Sequence, residues 1–147
     1  MKLKDILNKK GSKVWTVKAN QTISDALKVL VNQKIGALLV LDEKSGIVGI
    51  ISERDIVRGC HQNSKELDTM PVNKLITKEV IIGSPEDETS YIMGVMTQKR
   101  VRHIPVVAGG KLQGIVSIGD IVKSVIEDSQ YEIHYLKEYI YGPGQVQ

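Results

Sequence analysis

The 147-residue chain has a single cysteine, no phenylalanine, one tryptophan and four prolines. One cysteine, Cys60, excludes an intramolecular disulfide and any zinc site built from several thiolates. No block of five like charges is present, so the chain carries no nucleic-acid-binding tail of that kind. The longest apolar stretches, Ala37 to Leu41 and Ile47 to Ile51, are far too short to span a bilayer. The opening MKLKDILNKK lacks the apolar run of a secretory signal, and no arginine precedes Arg54, as a transit peptide would require. These absences predict a cytoplasmic protein with no membrane partner. Neither a P-loop nor a Gly-x-Ser-x-Gly nucleophile elbow occurs. What is present is ordinary globular composition: 41% apolar, 25% charged, a formal charge of +3 and a pI near 8.9. That is one domain, or two very small ones sharing a core.

The chain contains itself twice. A shift of 66 residues pairs Val14 with Val80, Ser24 with Ser90, Val29 with Val95 and Val40 with Val106. Past one short loop the shift becomes 65, and Gly49-Ile50, Ser52 and Asp55-Ile56-Val57 meet Gly114-Ile115, Ser117 and Asp120-Ile121-Val122. The lost residue falls in a turn, where deletions are tolerated. Each copy begins with a β-rich run (Val14 to Val17; Val80 to Ile82) and turn residues. A helix follows, carrying the stripe Ile23, Ala26, Leu27, Leu30, Val31, repeated as Thr89, Ile92, Met93, Met96. The helices are expected over 24–33 and 90–99. Two β-branched runs then form a hairpin, 37–41 with 47–51 and 104–107 with 112–116, and a last helix opens at Ser52 or Ser117. A unit of roughly 50 residues buries too little to stand alone. The expected fold is therefore α+β, two β-α-β-β-α repeats packed sheet to sheet with pseudo-two-fold symmetry. The repeats are drawn at 3–64 and 70–127, with a C-terminal helical tail over 128–147. The tail's Tyr131, Ile133, Tyr135, Leu136, Tyr139 and Ile140 read either as a helix docked on its own domain or as a dimer contact.

The residues most able to carry chemistry are Ser52-Glu-Arg-Asp55 and Ser117-Ile-Gly-Asp120. Ser at an N-cap with Asp three residues on forms a capping pair, which stabilises a helix by about 1 kcal/mol. The same carboxylate, held ionised at a helix N-terminus, can accept two hydrogen bonds from a ribose diol. A phosphate on that ligand would meet unpaired backbone N–H groups nearby. Both readings stand on the residues alone. Cys60 with His61 lacks the further ligands a metal site needs, and Cys60 lacks a base that would make it a nucleophile. His134 reads as a surface or interface residue. Trp15 reads as packing, or as a stacking face for a planar ligand.

The duplicated Gly49-Ile-Ile-Ser-Glu-Arg-Asp55 and Gly114-Ile-Val-Ser-Ile-Gly-Asp120, with Arg102-His-Ile-Pro-Val-Val107, resemble a tandem pair of cystathionine-β-synthase (CBS) domains over about residues 3–127. The stand-alone bacterial and organellar type is the most similar. The resemblance implies a regulatory, non-catalytic module binding an adenosyl ligand (AMP, ADP, ATP, NAD or S-adenosylmethionine) in clefts between the repeats, and a homodimer acting on an unknown protein partner. In one cleft Ser117 and Asp120 would hold the ribose, and Arg102 and His103 would face the phosphate. Adenine would lie among Ile115, Lys13, Trp15, Thr16, Ile35, Gly36 and Ala37. The other cleft would use Ile50, Ser52 and Asp55 with Ile81 and Val101, and with Arg54 and Arg58 for phosphate. Glu79 stands where Lys13 stands in the other copy, and Gly36-Ala37 where Arg102-His103 do, so the Asp120 cleft is expected to bind AMP-like ligands more tightly. The competing reading is a protein- or nucleic-acid-interaction domain with unused clefts, supported by the +3 charge and the lysines between Lys2 and Lys13.

Overall fold

A computed structural model describes residues 1–144 of the chain. In chain order its elements are α1 (Leu3–Lys10), β1 (Thr16–Lys18), α2 (Ile23–Gln33), β2 (Ala37–Leu41), β3 (Ile47–Ser52), α3 (Glu53–Gln62), α4 (Thr89–Lys99), β4 (His103–Ala108), β5 (Lys111–Ser117) and α5 (Ile118–Tyr141), with one 3-10 turn at Val72–Lys74. They form two compact units. Lys13–Ile81 make the first-repeat unit, and Met1–Ser12 join the chain from Ile82 onward in the second-repeat unit.

In the first-repeat unit β1 runs parallel to β2, and β2 antiparallel to β3, in the order β1-β2-β3. Strand β2, Ala-Leu-Leu-Val-Leu, is buried at four consecutive residues, the pattern of a strand covered on both faces. Helix α2 begins where Thr22 accepts from the Asp25 N–H and Asp25 accepts from the Thr22 N–H, and it buries Ile23, Ala26 and Leu30. These residues, with Val17, Leu38, Val40, Ile51, Ile56, Leu67 and Val72, form the unit's core. The first β-run sits two residues later than its sequence pattern indicates, at Thr16–Lys18 rather than from Val14.

The second-repeat unit departs further from its sequence reading. The run Val80 to Ile82 forms no strand. Only Gly83 pairs there, through a single parallel bridge to Val106 in which its N–H donates to the Pro105 carbonyl and its own carbonyl accepts from Val107. The turn at Ser84-Pro85 follows at once, and proline has no N–H to continue a ladder. The sheet is accordingly two-stranded, β4 with β5. Its hairpin turn is two residues, Gly109 and Gly110, both at positive φ (57° and 74°), which suits a primed turn and a glycine pair.

Two further corrections concern the ends of the chain. The opening residues form a helix, α1, that buries Leu3, Ile6 and Leu7 in the second-repeat unit. The expected C-terminal helix is present, but as the continuation of the repeat's last helix: α5 runs without a break to Tyr141, and residues 145–147 of the expected tail lie outside the described residues. Ile121 and Ser124 are buried, whereas Tyr131, Tyr135 and Tyr139 are 76%, 61% and 82% exposed. The aromatic stretch therefore does not dock on its own unit, which removes the first of the two readings of the tail.

The repeated glycines have a packing role. A Cβ on Gly114 would lie 2.6 Å from a methyl of Leu7 on α1, and one on Gly49 would lie 2.8 Å from the Thr77 carbonyl oxygen. Beside β3, Ile50 and Thr77 exchange N–H···O=C bonds of 3.1 and 2.9 Å. In each unit, then, the segment that precedes the other repeat in sequence lies against the strand leading into the Ser/Asp corner.

Candidate functional site

The two Ser/Asp corners are built alike. Ser52 ends β3 and caps α3; Ser117 ends β5 and caps α5. In the first-repeat unit Asp55 Oδ2 accepts from the Ser52 N–H at 2.8 Å and from Ser52 Oγ at 3.0 Å, while the Asp55 N–H donates to Ser52 Oγ at 3.3 Å. In the second, Asp120 Oδ2 accepts from the Ser117 N–H at 2.8 Å and the Asp120 N–H donates to Ser117 Oγ at 3.1 Å. Each is a capping box. Thr22 and Asp25 make a third box of the same kind at α2, so capping alone is enough to explain the local geometry. What sets Ser52 and Ser117 apart is that each stands at the C-terminal end of a strand, where the chain turns directly into a helix.

The strand partners bring further expected residues to each corner. Ala37 pairs with Ser52, and the Gly36 carbonyl accepts from the Glu53 N–H at 3.0 Å. In the second-repeat unit His103 pairs with Ser117, and the Arg102 carbonyl accepts from the Ile118 N–H at 2.8 Å. These bonds correct one expectation. A helix start has a few unpaired N–H groups, but here the cap, first and third positions are already bonded to the Asp carboxylate, the strand carbonyl and the Ser hydroxyl. Only the second helical N–H, that of Arg54 or Gly119, is left for a phosphate. Arg54, Arg58 and Arg102 are exposed and take part in no ion pair among the described residues.

The remaining expected residues divide by unit. Lys13, Trp15, Thr16, Ile35, Gly36, Ala37, Ile50 and Ile81 belong to the first-repeat unit, with Ser52, Arg54, Asp55 and Arg58; Val101, Arg102, His103 and Ile115 belong to the second, with Ser117 and Asp120. Within the first, the Lys13 ammonium lies 4.2 Å from the centre of the Trp15 ring, so that face of the indole already carries a cation.

Two neighbours of the Ser/Asp corners escaped the sequence reading. Lys10 Nζ, on α1, lies 2.7 Å from Asp120 Oδ2 and 2.9 Å from the Ile115 carbonyl oxygen. Burial pushes the Asp120 carboxyl upward, but hydrogen bonds from Lys10 and the Ser117 N–H, and the lysine's charge, outweigh it and hold the group below its ordinary value. Among the described residues no cation pairs with Asp55; its Oδ1 accepts from Thr77 Oγ1 at 3.3 Å. Neither partner is adjacent in sequence, Lys10 lying 110 residues from Asp120, so no local signal could have found them. Between α1 and α5 a cavity of about 100 Å³ is lined by Ile6, Lys9, Lys10, Asp120, Lys123 and Ser124 among others. It is too small to enclose a nucleotide.

The other lysines of α1 and its N-cap are also engaged. Lys2 and Lys4 meet Glu86 at 2.7 and 2.8 Å, and Lys9 meets Glu127 at 2.9 Å. Among the described residues no cluster of three or more potential metal ligands occurs, and no helix is long and apolar enough to cross a membrane.

The sequence model of the CBS domain matches residues 3–61 and 72–127. A CBS domain-containing protein of Arabidopsis thaliana, CBSX3, named as mitochondrial, is 35% identical over 136 residues, covering 90% of this chain and 66% of its own. The crystal structure of a CBS-domain containing protein from Agrobacterium tumefaciens superposes with a TM-score of 0.82 at 37% identity, over 84% of this chain and 98% of that one. The CBS domain pair of protein MJ0100, solved in complex with 5'-methylthioadenosine and S-adenosyl-L-methionine, superposes with a TM-score of 0.77 at 26% identity, over 87% and 98%.

Proposed function

The chain belongs to the CBS-domain family, and from that premise we propose that it is a regulatory module that binds an adenosyl ligand and acts through a partner or through its own dimer. The observation that carries this reading is the duplicated corner: a strand ending on a serine, a helix starting on it, and a carboxylate fixed at the junction. Such a carboxylate offers fixed acceptors to a ribose diol. Ser52 with Asp55 and Ser117 with Asp120 hold ribose; Arg102, His103, Arg54 and Arg58 take phosphate; Lys13, Trp15, Thr16, Ile35, Gly36, Ala37, Ile50, Ile81, Val101 and Ile115 attend the base. The complex of a related domain pair with S-adenosyl-L-methionine and methylthioadenosine supports the ligand class. AMP, ADP, ATP and NAD share its adenosyl group, and the extra phosphates favour the Asp120 corner, where Arg102 and His103 stand.

No observation favours the interaction-domain reading. The lysines of α1 that supported it are spent on Glu86, Glu127 and Asp120 within their own unit.

Calorimetry and thermal shift with AMP, ADP, ATP, NAD, S-adenosylmethionine and methylthioadenosine test the proposal. Ligand at 100 times Kd raises stability by about 2.7 kcal/mol. Asp120→Ala removes the tighter site and Asp55→Ala the weaker one; loss of the tighter site in Asp55→Ala reverses the ranking, and no response to any adenosyl compound rejects the function. Quenching of Trp15, the only tryptophan, reports on the base.

A further inference from the structure

Behind the Asp120 corner lies a group of charges that holding a ribose diol does not use. The cavity of about 100 Å³ between α1 and α5 brings Lys9, Lys10 and Lys123 together with Asp120 and Glu127. Lys9 pairs with Glu127 and Lys10 with Asp120, whereas Lys123 makes no ion pair among the described residues. The lining therefore carries one cation more than it has anions. At roughly 30 Å³ of liquid volume per water, the space is that of about three waters, the scale of one tetrahedral anion.

Lys10 joins this cavity to the sugar site. Its Nζ donates to Asp120 Oδ2 and to the Ile115 carbonyl, and an ammonium has three protons, so one donor remains. The Ser117 N–H also falls on Oδ2, which leaves Asp120 Oδ1 to accept from a ribose hydroxyl. The Lys10 and Asp120 side chains are only 34% and 24% exposed, so their charges are screened less than those of an open surface pair. The other copy has no equivalent: the shift of 66 residues sets Ile76 opposite Lys10, and Asp55 meets a threonine hydroxyl.

We propose that the Asp120 corner takes an adenosyl ligand phosphorylated on its ribose, as the 2' or 3' monoester, and that Lys10, Lys9 and Lys123 receive this phosphate at the α1–α5 cavity. The ligand class is that of NADP and the adenosine bisphosphates, as opposed to NAD and AMP. A carboxylate that accepts from a ribose diol repels a phosphate placed on the same diol, since that group carries about −1.5 to −2 near pH 7. A lysine fixed beside the carboxylate reverses the sign. The remaining hydroxyl binds Asp120 and the ester binds the ammonium, each contact being charge-assisted. Because the Ile115 carbonyl already holds Lys10 in place, little side-chain freedom is lost on binding. An unphosphorylated diol gains nothing from that ammonium and has to share the acid with it.

This site rests on the adenosyl-binding proposal and goes beyond it in naming the ribose substituent. Calorimetry on the full chain compares matched ligands: NADP with NAD, and adenosine 2',5'- and 3',5'-bisphosphate with AMP. The ribose-phosphorylated member of at least one pair is expected to bind about ten-fold more tightly, and the two bisphosphates identify the hydroxyl. Lys10→Met brings that ratio close to one, Lys10→Arg keeps it, and Lys123→Met lowers it in part. Added salt lowers it as well. Binding of methylthioadenosine, which has no phosphate, checks that the Lys10→Met protein is folded and competent. Equal affinities within every pair, or a ratio that survives Lys10→Met, overturns the ribose-phosphate site while adenosyl binding stands. Absence of binding by every adenosyl compound overturns both.

Discussion

Lys10 Nζ reaches Asp120 Oδ2 at 2.7 Å and the Ile115 carbonyl at 2.9 Å, so the acid that would hold a ribose is already held by a helix from the far end of the chain. At the matching corner, Asp55 has a threonine hydroxyl at 3.3 Å instead. The two halves of the duplication have thus kept the carboxylate and diverged in what opposes it.

A ribose hydroxyl competing for Asp120 must displace or share that ammonium. Lys10→Met is therefore expected to tighten binding of a phosphate-free adenosyl ligand such as methylthioadenosine by about two- to five-fold, the scale of a partly exposed ion pair. Calorimetry decides it: unchanged or weaker binding means that Lys10 does not oppose the sugar.

Capping and ligand holding can be separated with the third box. Thr22→Ala, Ser52→Ala and Ser117→Ala should each cost about 1 kcal/mol in urea denaturation, because each leaves a helical N–H unpaired. Only the two serine variants should also weaken adenosyl binding. Equal loss of affinity in Thr22→Ala would reduce the repeated Ser/Asp pairs to helix caps.

The repeated glycines differ in what a methyl would strike. At Gly49 it meets a backbone carbonyl at 2.8 Å, and at Gly114 the end of the Leu7 side chain at 2.6 Å. A side chain can rotate away more readily than a hydrogen-bonded backbone, so Gly49→Ala should cost more than Gly114→Ala, within the roughly 1–3 kcal/mol range of overpacking. Leu7→Ala should partly rescue Gly114→Ala. Equal melting temperatures for the two glycine variants would contradict the packing account.

Acid should loosen the second-repeat unit first. Hydrogen bonds from Lys2 and Lys4 hold Glu86 at about 2, against an ordinary 4.5. Lys9 lowers Glu127, and Asp120 is lowered despite its burial. A carboxylate with a lower folded value contributes its full stabilisation above its unfolded value and loses it as pH falls through the folded one. Stability should be flat above about pH 5 and should decline from about 4.5 toward 2, with the decline shallower in a Lys2→Met, Lys4→Met variant and in high salt. Equal steepness in that variant would clear Glu86 of any part in it. The test is urea unfolding followed across the pH range.

The parts of this fold that were legible in the sequence are local ones. The α2 stripe of Ile23, Ala26 and Leu30 and the serines at 52 and 117 lie where their patterns put them, because helix periodicity and capping act within a few residues. Val80 to Ile82 failed as a strand although its composition favours one, since a strand also needs an edge to pair with and the chain turns at Ser84. Helix α1 was passed over because, apart from Leu3, Ile6 and Leu7, its residues are polar and charged, and its burying surface belongs to a segment more than eighty residues away.

The amino-acid order by itself determined the duplication and the strand-to-helix corners, both of which depend on spacing along one chain. Only the tertiary structure decided that Met1–Ser12 pack with the second repeat, that Lys10 guards Asp120 while Thr77 meets Asp55, and that the tyrosines of α5 stand clear of their own unit. Those relationships join residues far apart in sequence, and long-range packing leaves no periodic trace for a linear pattern to carry.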